Sequence, residues 1–307
     1  MKYGYMAICV TLLLWAGFFL SLKGGANSDL TPADIALTRF ALPALLLFPL
    51  VWKSRQAILN VPLRYLIGMF IGCGLPYLLV AGFAMNFVPV AHGSALVPGT
   101  LPLFVTGIAV LLFNQPLSSH RVTGLVFIVI GIGIFLATSI NSYDWQQTQG
   151  HLLFLLGSLM WAIFTISARV ANLHALVSAG FISLVSTLVL FVLTLTGVLD
   201  SHLYKTSVNA WPVDELLVHI SLQGVGAGLI AAFTYLYAVG KLGAERSAAF
   251  GSATPAIATL LAIPIFGEVP DLETWAALFF ICVGSLIASN IFMKEDSSLN
   301  YQPPKNA

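Results

Sequence analysis

Charge is what this chain has least of. Of its 307 residues, 8% are Asp, Glu, Lys or Arg, against about 25% in an average soluble domain. Cysteine is scarce too: Cys9, Cys73 and Cys282 all fall in apolar segments without metal-ligand spacing, and any disulfide would leave one unpaired. They read as buried, unreactive thiols. Also missing are a phosphate loop, a Gly-x-Ser-x-Gly elbow, a His-Glu-x-x-His pair and paired acids within apolar segments. Those absences count against hydrolase, kinase and intramembrane protease chemistry. Net charge is +1, so nucleic acid is not an expected partner. No metal or cofactor is expected either.

What the chain does have is apolar length. It is 58% hydrophobic with a mean hydropathy of +0.93, more apolar surface than a globular core can bury, whereas lipid accepts it directly. A spanning helix needs about 20 such residues. That window places spans near 4–22, 34–52, 63–84, 90–113, 119–139, 151–169, 175–198, 216–240, 247–266 and 274–293. Residues 4–22 follow a single Lys without a small-residue cleavage site and read as a retained first span. The polar tail 294–307 is expected to be disordered.

Basic residues set an orientation, because Lys and Arg stay on the cytoplasmic side. With both termini inside, Lys2, Lys53, Arg55, Arg64, Arg121, Arg169, Lys241, Arg246, Lys294 and Lys305 fall on that side, and only Lys23 and Lys205 fall opposite. A multi-pass protein of the cell inner membrane, with the lipid bilayer as a partner, is the expectation.

The chain also repeats itself. Residues 91–134 align without a gap onto 244–287, with identities at 12 of 44 positions, among them Ala91/Ala244, Ser94/Ser247, Ala95/Ala248, Pro102/Pro255, Thr106/Thr259, Phe113/Phe266 and Gly131/Gly284. Earlier, Leu14-Trp15-Ala16 matches Met160-Trp161-Ala162. Five spans per copy is an odd number, so the copies, 1–140 and 150–293, sit inverted in the membrane. Inverted repeats allow two halves to exchange conformations around one site, which is the architecture of secondary transporters.

With ten spans in two halves, a Trp-Ala pair in the first helix of each, Ser-Ala entries to the fourth and ninth, and Thr254-Pro255 followed by Phe266-Gly267-Glu268, residues 4–293 resemble the drug/metabolite transporter superfamily, in particular its EamA-type members. The resemblance implies an all-α integral membrane fold that works by alternating access. It implies export of amino acids or related small metabolites. Uptake or exchange of a cofactor, nucleoside or drug-like compound stays open, as does a non-transporting receptor or accessory role. The family's Gly-Glu at the end of the fourth and ninth helices is kept as Gly267-Glu268 and replaced by Asn114-Gln115.

Several residues could carry the work. Arg39 is the one basic residue well inside a span, either a counter-charge for a substrate carboxylate or an interfacial residue that snorkels outward or pairs with Asp34 or a neighbouring helix. His92 and Ser94 open the fourth helix, and His92 is placed to relay protons or to hydrogen-bond at the interface. His219 and Gln223, four apart, share a helix face and suggest an outward vestibule. His92, His219 and Asp34 are the proton-coupling candidates; facilitated exchange is the alternative. Trp15, Tyr77, Trp161 and Tyr235 are cavity candidates together with Arg39, His92, Ser94 and Gln223, with helix packing as their simpler role. Pro98, Pro102 and Pro255 are expected to break the fourth and ninth helices near the transport site. Glycines 68, 72, 74, 224, 226 and 228, in the third and eighth helices, permit close packing, within the protein or in a homodimer.

Overall fold

The computed structural model describes residues 2–243, 247 and 250–289. Ala244, Glu245, Arg246, Ala248 and the tail 294–307 lie outside them. The described chain is helical: α1 (Lys2–Ala26), α2 (Pro32–Lys53), α3 (Leu63–Ala84), α4 (Val90–Phe113), α5 (Ser119–Asn141), α6 (Trp145–Ala171), α7 (Ala175–Leu195), α8 (Val213–Leu242), α9 (Thr254–Phe266) and α10 (Leu272–Ala288). Helices α1 to α8 are each long and apolar enough to cross a membrane, which makes this a multi-pass membrane protein. The described parts of α9 and α10 are shorter, at 13 and 17 residues. At 1.5 Å per residue, 13 residues reach about 20 Å of a hydrocarbon layer about 30 Å thick.

Short polar segments stop and start these helices. Thr31 and Asp34 form a capping box on α2, and the Asp34 carboxylate also accepts from Ser201 Oγ and from the amides of His202 and Leu203. Asp34 therefore fastens the 200–203 segment to α2. Asp144 caps α6 through the Gln147 amide, and Asp271 caps α10 through the Thr274 amide. Asn114 and Gly267 end α4 and α9 in the left-handed conformation, with φ of 50° and 70°. Asn is the residue that best substitutes for Gly there. At this pair of repeat-equivalent positions the backbone geometry is the same, although the sequence is not.

The expected proline breaks do not occur in α4. Pro98 and Pro102 lie inside one continuous helix, but ahead of Pro255 a break is present: residues 250 and 251 are helical, 252 and 253 form a turn, and α9 starts at Thr254 with Pro255 in its first turn, where the missing amide costs nothing. Two further irregular turns are in α3 and α8. Gly74 divides α3 into Leu63–Cys73 and Leu75–Ala84, and the freed Leu75 amide donates to Ser186 Oγ on α7 at 3.0 Å. Helix α8 winds as a π-helix over Ile220–Ile230. A Cβ on Gly224 would lie 2.6 Å from the Thr38 carbonyl, so α2 and α8 touch backbone to backbone there.

The helix pairs follow a pattern. Helix α3 packs on α6 as α1 packs on α8, α4 on α6 as α1 on α9, and α2 on α8 as α7 on α3. Pairs α2 with α7, α4 with α9 and α5 with α10 map onto themselves when each helix is exchanged for the one five places along. Cys9, expected inside, faces outward instead, while Cys73 and Cys282 are half-buried. Nothing but lipid needs to accommodate a thiol on the outer face of α1.

Candidate functional site

Trp15, Phe18 and Phe19 are spaced i, i+3, i+4, so α1 turns all three to one side. They meet Arg39 from α2, Tyr77 from α3, Val97, Pro98 and Leu101 from α4, Trp161 from α6 and Ala227 from α8 around a cavity of about 120 Å³. At roughly 10–15 Å³ per water-sized volume, that space holds on the order of ten. A small metabolite fits.

The walls are aromatic. Tyr77 meets Trp161 edge to face at 5.0 Å between ring centroids and stacks on Phe18 at 6.4 Å. Trp15 and Trp161, equivalent in the two copies, both line the space, and Tyr235 backs Trp15 at 5.2 Å without reaching the cavity. Phe233 and Tyr237, on the same helix, face outward.

Within this apolar shell stands one cation. Arg39 Nη1 donates to the Gln223 carbonyl at 3.1 Å, and its guanidinium lies 5.4 Å from the centre of the Phe18 ring. It has no carboxylate partner among the described residues. The pairing with Asp34 does not form, because the Asp34 oxygens are taken by Thr31 and the 200–203 segment. Beside Arg39, the Tyr77 hydroxyl is buried and has no hydrogen-bond partner, and Gln223 Oε1 has none either. Leaving such a group unmet costs about 1–3 kcal/mol. Of these, the Arg39 guanidinium and the Tyr77 hydroxyl belong to residues that line the cavity, whereas Gln223 does not line it.

The remaining candidates lie elsewhere. Gln223 is fully buried against α1, donating from Nε2 to the Phe18 carbonyl at 3.2 Å, and His219 Nδ1 pairs with Ser21 Oγ at 2.7 Å. Their shared face packs on α1 and forms no outward vestibule. His92 and Ser94 are buried near the start of α4, short of the cavity, where Ser94 Oγ donates to the Ala91 carbonyl. Pro98 lines the cavity; Pro102 and Pro255 do not.

One end of the bundle is shut. Every residue from Ala16 to Leu22 on α1 and from Val90 to Val97 on α4 is buried. Lys23 Nζ lies 3.2 Å from Glu268 Oε1 and donates to the Val88 carbonyl at 3.0 Å, while the Val90 amide donates to Glu268 Oε2 at 2.8 Å. This lock ties the end of α1 to the start of α4 and to the turn between α9 and α10. Toward the opposite end, Leu101–Val105 of α4 is only half-buried. The sequence held a signal for the aromatic triad in its spacing, but none for the partnership of Lys23 with Glu268.

A bundle of apolar spanning helices around an aromatic cavity, with a cation inside and a lock at one end, defines a membrane protein built to hold a small molecule within the bilayer. The chain matches the model of the EamA-like transporter family over residues 2–137 and 148–290. It belongs to that family, within the drug/metabolite transporter superfamily. It is 26% identical over 171 residues to an uncharacterized transporter, YoaV, of Bacillus subtilis (strain 168), spanning 55% of this chain and 58% of that one. An uncharacterized transporter of Clostridium kluyveri is 22% identical over 305 residues, 94% of this chain and 93% of the relative. A solved structure, titled only as the crystal structure of a protein, shares the fold with a TM-score of 0.60 at 19% identity, over 94% and 96% of the two chains.

Proposed function

We propose that this protein is a secondary transporter of the cell inner membrane that moves a small carboxylate-bearing metabolite, an amino acid or a close relative, outward by alternating access. Its carrier unit is a pair of inverted five-helix repeats, residues 1–140 and 150–293, with both termini cytoplasmic. The substrate sits in the Trp15–Tyr77–Trp161 cavity with its carboxylate on Arg39 and the Tyr77 hydroxyl. Aromatic walls take the apolar part.

The one-sided lock carries this reading. Lys23 is closed on Glu268, while the residues at equivalent places in the other copy, Arg169 at the end of α6 and Gln115 after α4, make no hydrogen bond or ion pair to one another. Arg169 is exposed. An inverted pair caught with one lock shut and its twin apart is what alternating access requires. The basic residues crowd the unlocked end, which makes that end cytoplasmic.

Counterflow in proteoliposomes loaded with pooled amino acids, other small carboxylates, nucleosides and vitamins tests the proposal. Exchange of a carboxylate compound, weakened by Arg39→Gln, is the expected result. Folded protein that exchanges none of them would move the reading to a receptor or accessory role.

A further inference from the structure

The shut end contains two buried histidines that the cavity does not use. His92 on α4 is 6% exposed and His151 on α6 is fully buried, and His92 Nδ1 lies 2.9 Å from His151 Nε2. The row continues on both sides: His92 Nε2 is 3.1 Å from Thr274 Oγ1 on α10, and His151 Nδ1 is 3.4 Å from Ser139 Oγ on α5. Thr148 Oγ1 donates to the same Ser139 Oγ at 3.0 Å. The Phe135 ring covers both imidazoles, with centroids 4.4 and 5.5 Å away. One line of hydrogen bonds therefore crosses α10, α4, α6 and α5, between the cavity and the sealed surface.

The donor count fixes what this row can hold. A neutral imidazole has one N–H and one bare nitrogen. In one ordering Thr274 donates to His92, His92 to His151, and His151 to Ser139; in the other every bond is reversed. Both orderings satisfy each ring. One added proton is also accommodated, since a charged His92 donates to Thr274 Oγ1 and to His151 Nε2 together. A second would set N–H against N–H at 2.9 Å. The capacity of the pair is one proton.

The charged groups around it come from every neighbouring element. Asp271 caps α10 one turn before Thr274, Asp144 caps α6, and Lys23 and Glu268 are paired with each other beside Val90. Neither Asp271 nor Asp144 forms an ion pair among the described residues.

We propose that His92 and His151 form a one-proton site whose occupancy is linked to opening of the Lys23 end, so that a pH gradient drives transport; this rests on the transport reading of the cavity. The warrant is placement. Opening that end parts α4 from α10, breaks the row at Thr274 and brings water to the imidazoles. The proton is then held differently in the two states, and linkage ties its movement to the change of shape.

Proteoliposomes carrying wild type, His92→Gln or His151→Gln separate the two claims, with counterflow and pH-gradient-driven accumulation measured side by side. Glutamine keeps hydrogen bonding and removes titration. Gradient-driven accumulation by wild type, with its ratio to counterflow falling to background in both variants, is expected. Wild-type counterflow indifferent to the gradient, or variants that accumulate like wild type, would overturn the proton site alone. Wild type without any counterflow would overturn the transport reading beneath it. Should a variant fail to fold, ¹⁵N-histidine NMR of the wild type in nanodiscs decides: the two rings are expected to titrate in one shared step, and two independent steps or none would sink the proposal.

Discussion

Gly131 and Gly284 make the same contact seen from opposite sides. A Cβ on Gly131 would lie 2.9 Å from the Ala277 carbonyl and 3.1 Å from the Ile281 amide; one on Gly284 would lie 2.6 Å from the Gly124 carbonyl and 2.7 Å from the Ile128 amide. Adding 153 to 124, 128 and 131 gives 277, 281 and 284, the offset of the sequence repeat. As residue number rises along α5 it falls along α10, so the helices run antiparallel. A two-fold axis that relates antiparallel helices lies across them, in the plane of a membrane. The contact thus supports an inverted pair of repeats.

Both glycines are needed for this approach, though not equally. The two nearest atoms to Gly284 are backbone, whereas the nearest atom to Gly131 is Ile281 Cγ1, which can move. Overpacking costs about 1–3 kcal/mol, so Gly284→Ala is expected at the upper end of that range and Gly131→Ala lower. Thermal unfolding of the purified variants in detergent measures the difference. Equal or negligible losses would contradict the close approach.

Arg39 is expected to act through both charge and shape. Hydrogen bonds to charged groups contribute about 1.5–3 kcal/mol, or roughly 10- to 100-fold. Arg39→Gln should weaken carboxylate binding by that factor, and Arg39→Lys should recover part of it, because Lys keeps the charge and loses the planar fork. Binding measured by isothermal calorimetry with the exchanged compound checks both.

The unmatched lock makes a directional prediction. Gln115→Glu gives Arg169 the acidic partner that Lys23 already has in Glu268, and should shift the population toward closure of the Arg169 end. Glu268→Gln should move it the same way by loosening the Lys23 end. Distances between spin labels at the two ends report the shift, and combining the substitutions should add to it.

Asp271 should reveal itself in acid. Hydrogen bonding from Thr274 holds its carboxyl below the usual carboxylate range. A lowered folded value means that its stabilisation is complete above the unfolded value, about 3.9, and disappears as pH falls through the folded one. Asp271→Ala should therefore cost about 1 kcal/mol at neutral pH, as a lost helix cap does. The gap from wild type should narrow as pH falls below that unfolded value, on the same linkage. Melting curves across that range test the sign.

The spans α1 to α8 were legible because lipid imposes apolar length, and the aromatic cavity because Trp15 and Trp161 recur between copies. Arg39 stood out for its depth alone. What stayed hidden depended on distance in sequence: Lys23 is 245 residues from Glu268, and no local pattern joins them. His151 opens the expected span 151–169 and carries no signal there, because a histidine at a span boundary resembles an interfacial residue until α4 and α5 are packed around it. The proline reading failed in α4 alone, since a turn at 252–253 does precede Pro255. Helix α4 carries Pro98 and Pro102 without breaking, while the glycines of α3 and α8, read only as packing surfaces, mark two further irregular turns.

The most direct test of alternating access is thiol labelling from both ends in a protein whose three native cysteines are replaced. Ser94→Cys reports the shut end and Val105→Cys the other, each probed with a membrane-impermeant maleimide, with and without Glu268→Gln. Loosening the lock should raise labelling at 94 and lower it at 105 together. Labelling at both positions at once, or no reciprocal change, would contradict the account.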